Sequence, residues 1–421
     1  MTKSYVINDN ISLHYIPMEK LKTTSIGIYI HRSLNEEDAS KNALLPYVLK
    51  SGCSLFNDTE KIARRLEELY GADLSAGIMK KGEDQIIAFD AETISDKYAA
   101  NNEPLVKDLL KLLLSIVFDP ICEDGAFKAS FVELEKKNAI DRIESVINDK
   151  RTYAQLRCIE EMCKGEPFGI YKLGSAEAIS SITPQSLYSY YKQVTAESPI
   201  DIFICGDADI NEICAELKKI NIPFKKAALP ACKLFSGNSE VKHVTDRMEV
   251  TQGKLCIGFK TGIKGDSPDS AALTVANSIF GAGAHSKLFN NVREKLSLCY
   301  FASSQADIYK GIMLVNAGIE FKNFQKAYDE ILVQLDSVKK GDISDFEFDS
   351  AVSAVLNSYR SAYDDPRYMQ NIHLGEIILG TDLSIEDHIN MIKKVTREDV
   401  VRVMNNVELD TVYFLTGKEE K

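Results

Sequence analysis

The sequence predicts an α+β protein of two homologous domains, each a mostly antiparallel sheet with helices packed on one face. Three observations support this fold class. The chain has 421 residues, more than one ordinary domain, and the same order of strand-like and helix-like segments occurs twice along it. Within each half, strand and helix patterns mix without the strict alternation that a doubly wound parallel sheet would show.

The repeat begins with an alternating strand, predicted over residues 25–30 in the first half and 255–259 in the second. Each strand leads into an acidic turn and then an apolar helix, predicted over 43–49 and 271–279. The tripeptide Leu-Phe-Asn then recurs in both halves. Two further helices are expected in the first half, over 59–70, ended by a glycine, and over 104–117, with proline in its first turn.

The second part of each half repeats as well. Thr183 and Thr396 each precede a helical pattern and are predicted to cap it, and a last strand follows at 201–206 and at 411–415. The least periodic polar stretch separates the two copies. We therefore predict an N-terminal domain over 1–220, a linker over 221–245 and a C-terminal domain over 246–421.

Composition excludes several classes of function. Lys and Arg number 50 and Asp and Glu number 62, so the net charge of −12, without a long basic block, argues against nucleic-acid binding. No apolar run approaches the roughly 18 to 20 residues of a membrane helix, and the first residues have no secretory h-region, so we expect a cytoplasmic protein. Nine cysteines, an odd number, fit reduced thiols better than a disulfide framework.

The histidines do not form a recognisable metal or catalytic motif. No two of the six lie within one helical turn, whereas a zinc hydrolase normally presents two ligands from adjacent turns of a helix. A G-x-S-x-G nucleophile elbow is also absent from the sequence. We therefore predict no metal site, no cofactor and no catalytic residue in this chain alone.

The most distinctive segment, 281–300, has a glycine-rich turn, then Ser-Lys-Leu-Phe, Val-Arg-Glu-Lys, and Leu-Cys-Tyr. It resembles the pitrilysin/insulinase family of metallopeptidases, as does the Leu-Gly-x-x-Glu-x-Ile-x-x-Ile-Thr pattern at 173–183. In that family an Arg and a Tyr bind the substrate backbone and the developing charge beside zinc, and they match Arg293 and Tyr300. The resemblance also implies that two pairs of domains enclose a chamber, so that this chain forms half of a clamshell.

The family's zinc motif, H-x-x-E-H, is missing. Its His, Glu and His fall on Ala43, Pro46 and Tyr47, in that order. Alanine has no donor atom, proline has no base, and tyrosine, with an ordinary pKa of about 10, is a poor zinc ligand. The family's third ligand, a downstream Glu, falls on Arg142 in the favoured register, with Glu144 close by.

The resemblance leaves two functions open. In the first, the chain is a non-catalytic, substrate-binding subunit of a heterodimeric zinc peptidase, as in two-gene bacterial members of the family. It would supply Arg293 and Tyr300 in trans to a homologous partner that carries H-x-x-E-H and zinc, with a peptide as substrate. In the second, it is a wholly non-catalytic peptide-binding or scaffold protein, like the core proteins of respiratory complexes. In isolation the chain could form a homodimer.

Overall fold

The computed structural model describes residues 2–220, 222–225, 228 and 231–418. Part of the linker predicted over 221–245, namely residues 221, 226, 227, 229 and 230, lies outside this described range. The strands of the first half, in chain order, are β1 (Lys3–Val6), β2 (Ile11–Pro17), β3 (Thr23–Ser33), β4 (Asp73–Lys81), β5 (Asp84–Ile94), β6 (Cys122–Glu123), β7 (Ala126–Phe127) and β8 (Ile200–Gly206).

The strands of the second half follow in chain order: β9 (Lys242–Met248), β10 (Gly253–Lys260), β11 (Cys299–Asp307), β12 (Ile312–Ile319) and β13 (Glu408–Gly417). The helices are α1 (Ala39–Lys50), α2 (Thr59–Glu68), α3 (Leu105–Phe118), α4 (Ala129–Ser145), α5 (Lys150–Met162), α6 (Ala176–Ser181), α7 (Pro184–Glu197), α8 (Ile210–Leu217), α9 (Ser270–Phe280), α10 (Phe324–Lys339), α11 (Asp345–Ser361), α12 (Pro366–Leu379), α13 (Ile385–Lys393) and α14 (Arg397–Asn405). None of the helices in the described part of the chain is long and apolar enough to cross a membrane.

The two main sheets have the same topology, which confirms the α+β fold of two homologous halves. The first has the order β1-β2-β8-β3-β5-β4, and the second, read in the matching direction, has the order β9-β13-β10-β12-β11. In the first sheet, β8 pairs in parallel with β2 and antiparallel with β3. In the second sheet, β13 likewise pairs in parallel with β9 and antiparallel with β10. The additional strand β1 extends only the first sheet.

The predicted caps are also confirmed. The hydroxyl of Thr183 accepts a hydrogen bond from the backbone N–H of Ser186 at the start of α7, and Thr396 does the same with Asp399 at the start of α14. In both helices the side chain of the third residue bonds back to the threonine N–H, which completes a capping box. A helix start read from sequence alone is therefore reproduced in both copies of the repeat.

The compact units of the structure exchange helices between the two halves of the chain. The first unit comprises Met1–Glu144, Ile170–Ala231 and Ala362–Ile378, and the second comprises Ser145–Gly169, Cys232–Ser361 and Leu379–Lys421. Most of α12 thus packs in the first unit, and α5 packs in the second. The contiguous ranges 1–220 and 246–421 predicted from the sequence do not contain this exchange, because a helical pattern does not specify the sheet on which the helix packs.

Each exchanged helix lies on the sheet face that its unit's own helices leave open. In the second unit, Leu255 and Ile257 of β10 contribute to the main core, whereas Cys256 between them packs with Cys158 and Met162 of α5. A Cβ at Gly258 would lie 2.5 Å from the sulfur of Met162, so glycine allows the helix to approach the strand. In this way both faces of the sheet are buried.

The second face of the first sheet carries a chain of buried ionisable side chains. His14 Nε2 lies 2.7 Å from Asp201 Oδ1, His31 Nε2 lies 3.0 Å from Asp201 Oδ2, and His31 Nδ1 lies 2.6 Å from Asp84 Oδ2. Burial opposes the charge of His31, but its hydrogen bonds to the two aspartates outweigh burial and raise its pKa to about 9. Burial also opposes the charge of Asp201, but its hydrogen bonds to both histidines outweigh burial and lower its pKa to about 2. These ion pairs therefore link the neighbouring strands β2, β8, β3 and β5.

Candidate functional site

The helix that matches the family's zinc motif is α1, in the first unit. Ala43, Pro46 and Tyr47 are spaced by three and one residues and so share one face of the helix. Ala43 is 3% exposed and lies in the main core, and Pro46 is also buried. Only Tyr47 of the three is partly exposed.

A cation lies against this helix face. The guanidinium carbon of Arg142, on α4, is 3.8 Å from the centroid of the Tyr47 ring, a close cation–π contact. The Tyr47 hydroxyl lies beside the edge strand β4, where a Cβ built on Gly77 would be 3.5 Å from the oxygen. The residue on which the family's third ligand falls in the expected register, Arg142, thus stacks on one position of the degenerate motif, Tyr47.

These residues do not fit a zinc ion. Alanine and proline have no side-chain donor atom, and a guanidinium is a permanent cation that repels a metal. In the described part of the chain, no group of three or more His, Cys, Asp and Glu side chains is arranged to hold a metal ion. At the positions where the family's motif would hold a metal ion, this chain therefore has the phenol of Tyr47 stacked against the positive charge of Arg142.

Buried polar contacts hold α1 in place. Asn42 donates from Nδ2 to Gln85 Oε1 at 2.8 Å and accepts from the hydroxyl of Tyr190 at 2.8 Å. Gln85, on β5, in turn donates to the carbonyl of Ala39 at 3.0 Å. All the side chains of this network are buried and mutually hydrogen-bonded, so the helix is fixed against β5 and α7.

The Arg/Tyr motif lies in the second unit, at the junction of a π-helix and an edge strand. Arg293 is in the π-helix Leu288–Lys295, and Tyr300 is the second residue of β11. π-Helical turns are rare and often occur at functional sites. The arginine side chain is 40% exposed, with its guanidinium carbon 4.6 Å from the centroid of the Phe289 ring and its Nε 3.5 Å from Glu294. The guanidinium nitrogens thus lie at the protein surface.

Tyr300 is turned outward by a β-bulge. Cys299 pairs with Ile319 and Phe301 pairs with Gly318, so Tyr300 is the extra residue of the bulge and breaks the alternation of the strand. Its side chain is 64% exposed, among the large exposed hydrophobic residues of the protein. The sequence motif alone could not show this, because alternation predicts only one of two faces for each strand residue.

The glycine-rich turn before the motif is required by packing. A Cβ at Gly281 would lie 2.5 Å from the Ser304 hydroxyl and 2.6 Å from the Ser304 backbone nitrogen. Instead, the Ser304 N–H donates to the Gly281 carbonyl at 3.1 Å. The turn therefore docks directly onto β11 and fixes where the π-helix begins relative to the strand that bears Tyr300.

Comparison with known proteins identifies a family of similar chains. The family model described as peptidase M16 inactive domain matches residues 181–355. A Bacillus subtilis protein named probable inactive metalloprotease YmfF is 34% identical over 413 residues, covering 97% of this chain and 96% of that protein. This identity extends the similarity well beyond the residues that the family model matches.

Two solved structures have the same fold. A crystal structure of a conserved protein from Enterococcus faecalis V583 aligns with a TM-score of 0.91 and 30% identity, covering 100% of this chain and 99% of that chain. The structure of a peptidase M16 inactive domain from Pseudomonas fluorescens aligns with a TM-score of 0.82 and 19% identity, with the same coverage. The second likeness is one of fold alone.

Proposed function

The chain belongs to the peptidase M16 family as an inactive metalloprotease homologue, and from this premise we propose that it is the substrate-binding, non-catalytic subunit of a heterodimeric zinc peptidase. The partner in this proposal is a homologous chain that carries H-x-x-E-H and holds zinc. The observation that carries the proposal is the contrast between two motifs. In the degenerate zinc motif, Ala43 and Pro46 are buried and the third position lies against the Arg142 guanidinium. Arg293 and Tyr300, in contrast, have exposed polar ends.

Exposed arginine and tyrosine side chains suit recognition of a peptide backbone. A guanidinium offers several N–H donors in a fixed plane, and a phenol adds an O–H donor that does not need to change its protonation state. Such donors stabilise a carbonyl oxygen, and they stabilise it more strongly as negative charge develops on it. A residue kept only for packing would gain nothing from the bulge that exposes Tyr300, which supports a role in binding.

The free edges of the two sheets suit an extended peptide as ligand. Among the described residues, β4 pairs with β5 alone and β11 pairs with β12 alone, so each has one backbone edge without a partner strand. An extended peptide adds to such an edge by main-chain hydrogen bonds, which do not depend on its sequence. The proposed substrate is therefore a peptide that is short or unfolded.

The test is peptide hydrolysis by this chain alone, by an H-x-x-E-H homologue from the same genome, and by their mixture, each with and without a zinc chelator. We expect zinc-dependent activity of the mixture above that of the homologue alone. Substituting Arg293→Ala or Tyr300→Phe is expected to lower the turnover of the mixed complex about tenfold to a thousandfold, the range for losing one such donor.

Matched controls separate catalysis from a general effect on the surface. Arg360→Ala, on α11, removes another exposed arginine of the same unit, and Tyr98→Phe removes another exposed phenol hydroxyl; both are expected to leave turnover unchanged. Normal turnover in both motif variants would exclude Arg293 and Tyr300 from the reaction. A mixture that forms no complex and gains no activity would favour the scaffold function instead.

A further inference from the structure

The edge strand β11 carries an aromatic ring between two cations on the sheet face that α5 covers in part. Phe301 of β11, Gly318 of β12 and Lys254 of β10 lie in one row across three strands. A Cβ at Gly318 would be 2.5 Å from the phenylalanine ring, so only glycine lets the ring lie over the neighbouring strand. The row begins at the free edge of the sheet and leads inward to Lys254.

Both cations contact the ring. The guanidinium carbon of Arg151, on α5, is 4.4 Å from the centroid of the Phe301 ring, and Lys254 Nζ is 5.7 Å from it. Arg151 also donates to the Ser303 hydroxyl at 3.3 Å, one step further along the same face of β11. One stacking contact and one hydrogen bond thus hold the exposed guanidinium of Arg151 at the edge strand, although a long arginine side chain would otherwise be mobile in solvent.

One carboxylate, that of Asp149, interacts electrostatically with both cations, and it also caps α5. Asp149 caps α5 and accepts from the backbone N–H of Arg151 at 3.1 Å and of Thr152 at 3.2 Å, while the Thr152 hydroxyl donates to its other oxygen at 2.6 Å. Lys254 contacts the uncharged side chain of Gln252. The hydrogen bonds of Asp149 are taken up by the helix terminus, and two cations face this single carboxylate, which leaves one local positive charge in excess in a protein whose net charge is −12.

We propose that Arg151, Phe301 and Lys254 form a subsite for an acidic side chain of a peptide that adds as a strand to β11. This inference rests on the proposed function and names the class of peptide that the second unit selects. In an added strand, a residue opposite Phe301 or Ser303 has its Cβ about 4.5 to 5.5 Å from theirs and on the same face. The ring provides an apolar surface for the methylene groups of a glutamate, and the guanidinium can receive its carboxylate.

The experiment measures the affinity of the full chain for three fluorescein-labelled 15-residue peptides of alternating Thr and Val, identical except for a central Glu, Gln or Lys. Fluorescence anisotropy at low salt gives the three affinities. We expect the Glu peptide to bind about threefold to tenfold more tightly than the Lys peptide, the size of effect for one favourable and one unfavourable cross-strand charge pair. The preference should shrink in 0.5 M salt as screening weakens an exposed pair.

The variants Arg151→Gln and Lys254→Gln test the assignment. Either substitution is expected to reduce the preference for Glu while leaving the affinity for the Gln peptide within about twofold, and Arg360→Gln, on the same unit, should leave all three affinities unchanged. Equal binding of the Glu and Lys peptides by the unsubstituted protein would overturn this inference alone. If none of the peptides bound, the proposed peptide-binding function itself would fail.

Discussion

The buried ion pair between Lys310 and Glu166 should be energetically asymmetric. Lys310 Nζ lies 2.6 Å from Glu166 Oε2; the lysine side chain is 1% exposed and the glutamate side chain is 25% exposed. The ammonium also donates to the carbonyl of Lys233 at 3.0 Å, and the carboxylate accepts from the Ser236 hydroxyl at 2.9 Å. The pair therefore joins the segment that follows α5 to the β11–β12 turn and to the chain before β9.

Removing either partner leaves the other charge behind, in a different environment. Glu166→Gln leaves an ammonium with almost no solvent and is expected to lower the free energy of unfolding by about 4 kcal/mol, within the range for a broken buried pair. Lys310→Met leaves a carboxylate that water and Ser236 still reach, and the apolar stem is preserved, so we expect a loss of about 2 kcal/mol. Lys322→Met, at the exposed pair with Glu320, should leave the free energy of unfolding almost unchanged, because water screens that pair.

Urea unfolding followed by far-UV circular dichroism measures these differences, since the chain has no tryptophan to report by fluorescence. The loss in Glu166→Gln should become smaller as the pH rises from 7 to 10, because a buried ammonium without its carboxylate counter-charge can release its proton in the folded state before it does so in the unfolded state. The double variant should be more stable than Glu166→Gln alone. A larger loss for Lys310→Met than for Glu166→Gln would refute the reasoning.

Two further predictions concern the first unit. Because the pKa of His31 rises from 6.5 to about 9 on folding, its stabilisation, on the order of 3 kcal/mol, is complete below about pH 6.5 and lost towards pH 9. Urea titrations at several pH values should show this loss in the parent protein and in His243→Gln, but not in His31→Gln. Changing the three degenerate motif positions to His, Glu and His should create zinc binding, measured by calorimetry, only when Arg142 is also changed to Glu; binding without that change would contradict the position assigned to Arg142.

Local sequence patterns predicted much of the fold because the relevant interactions are local. The alternation of 25–30 and 255–259 appears as β3 and β10, and the capping threonines Thr183 and Thr396 start α7 and α14 as expected. The helix predicted over 59–70 ends two residues earlier, at Glu68, because Tyr70 takes a positive φ before Gly71. Strand alternation and capping each involve a few neighbouring residues, so a single sequence suffices to recognise them.

For the candidate site, too, the sequence settles some features and the tertiary structure settles others. The residue types at 43, 46 and 47 exclude zinc ligation by themselves, since no fold can give alanine or proline a donor atom. The exposure of Tyr300 depends on a bulge that forms only where β11 pairs with β12, and the stack of Arg142 on Tyr47 joins two helices. Such contacts between separate helices and strands leave no periodic signal in the sequence.

The sequence by itself determined that the chain is a repeat of one α+β unit, that it lacks the family's zinc ligands and that it keeps the Arg/Tyr motif. Only the tertiary structure decided that α5 and α12 pack with the sheets of opposite halves, that a guanidinium lies on the degenerate motif, and that two cations flank Phe301 at a free strand edge. The physical reason is that residue type limits the chemistry of each position, whereas burial and long-range packing select which positions meet.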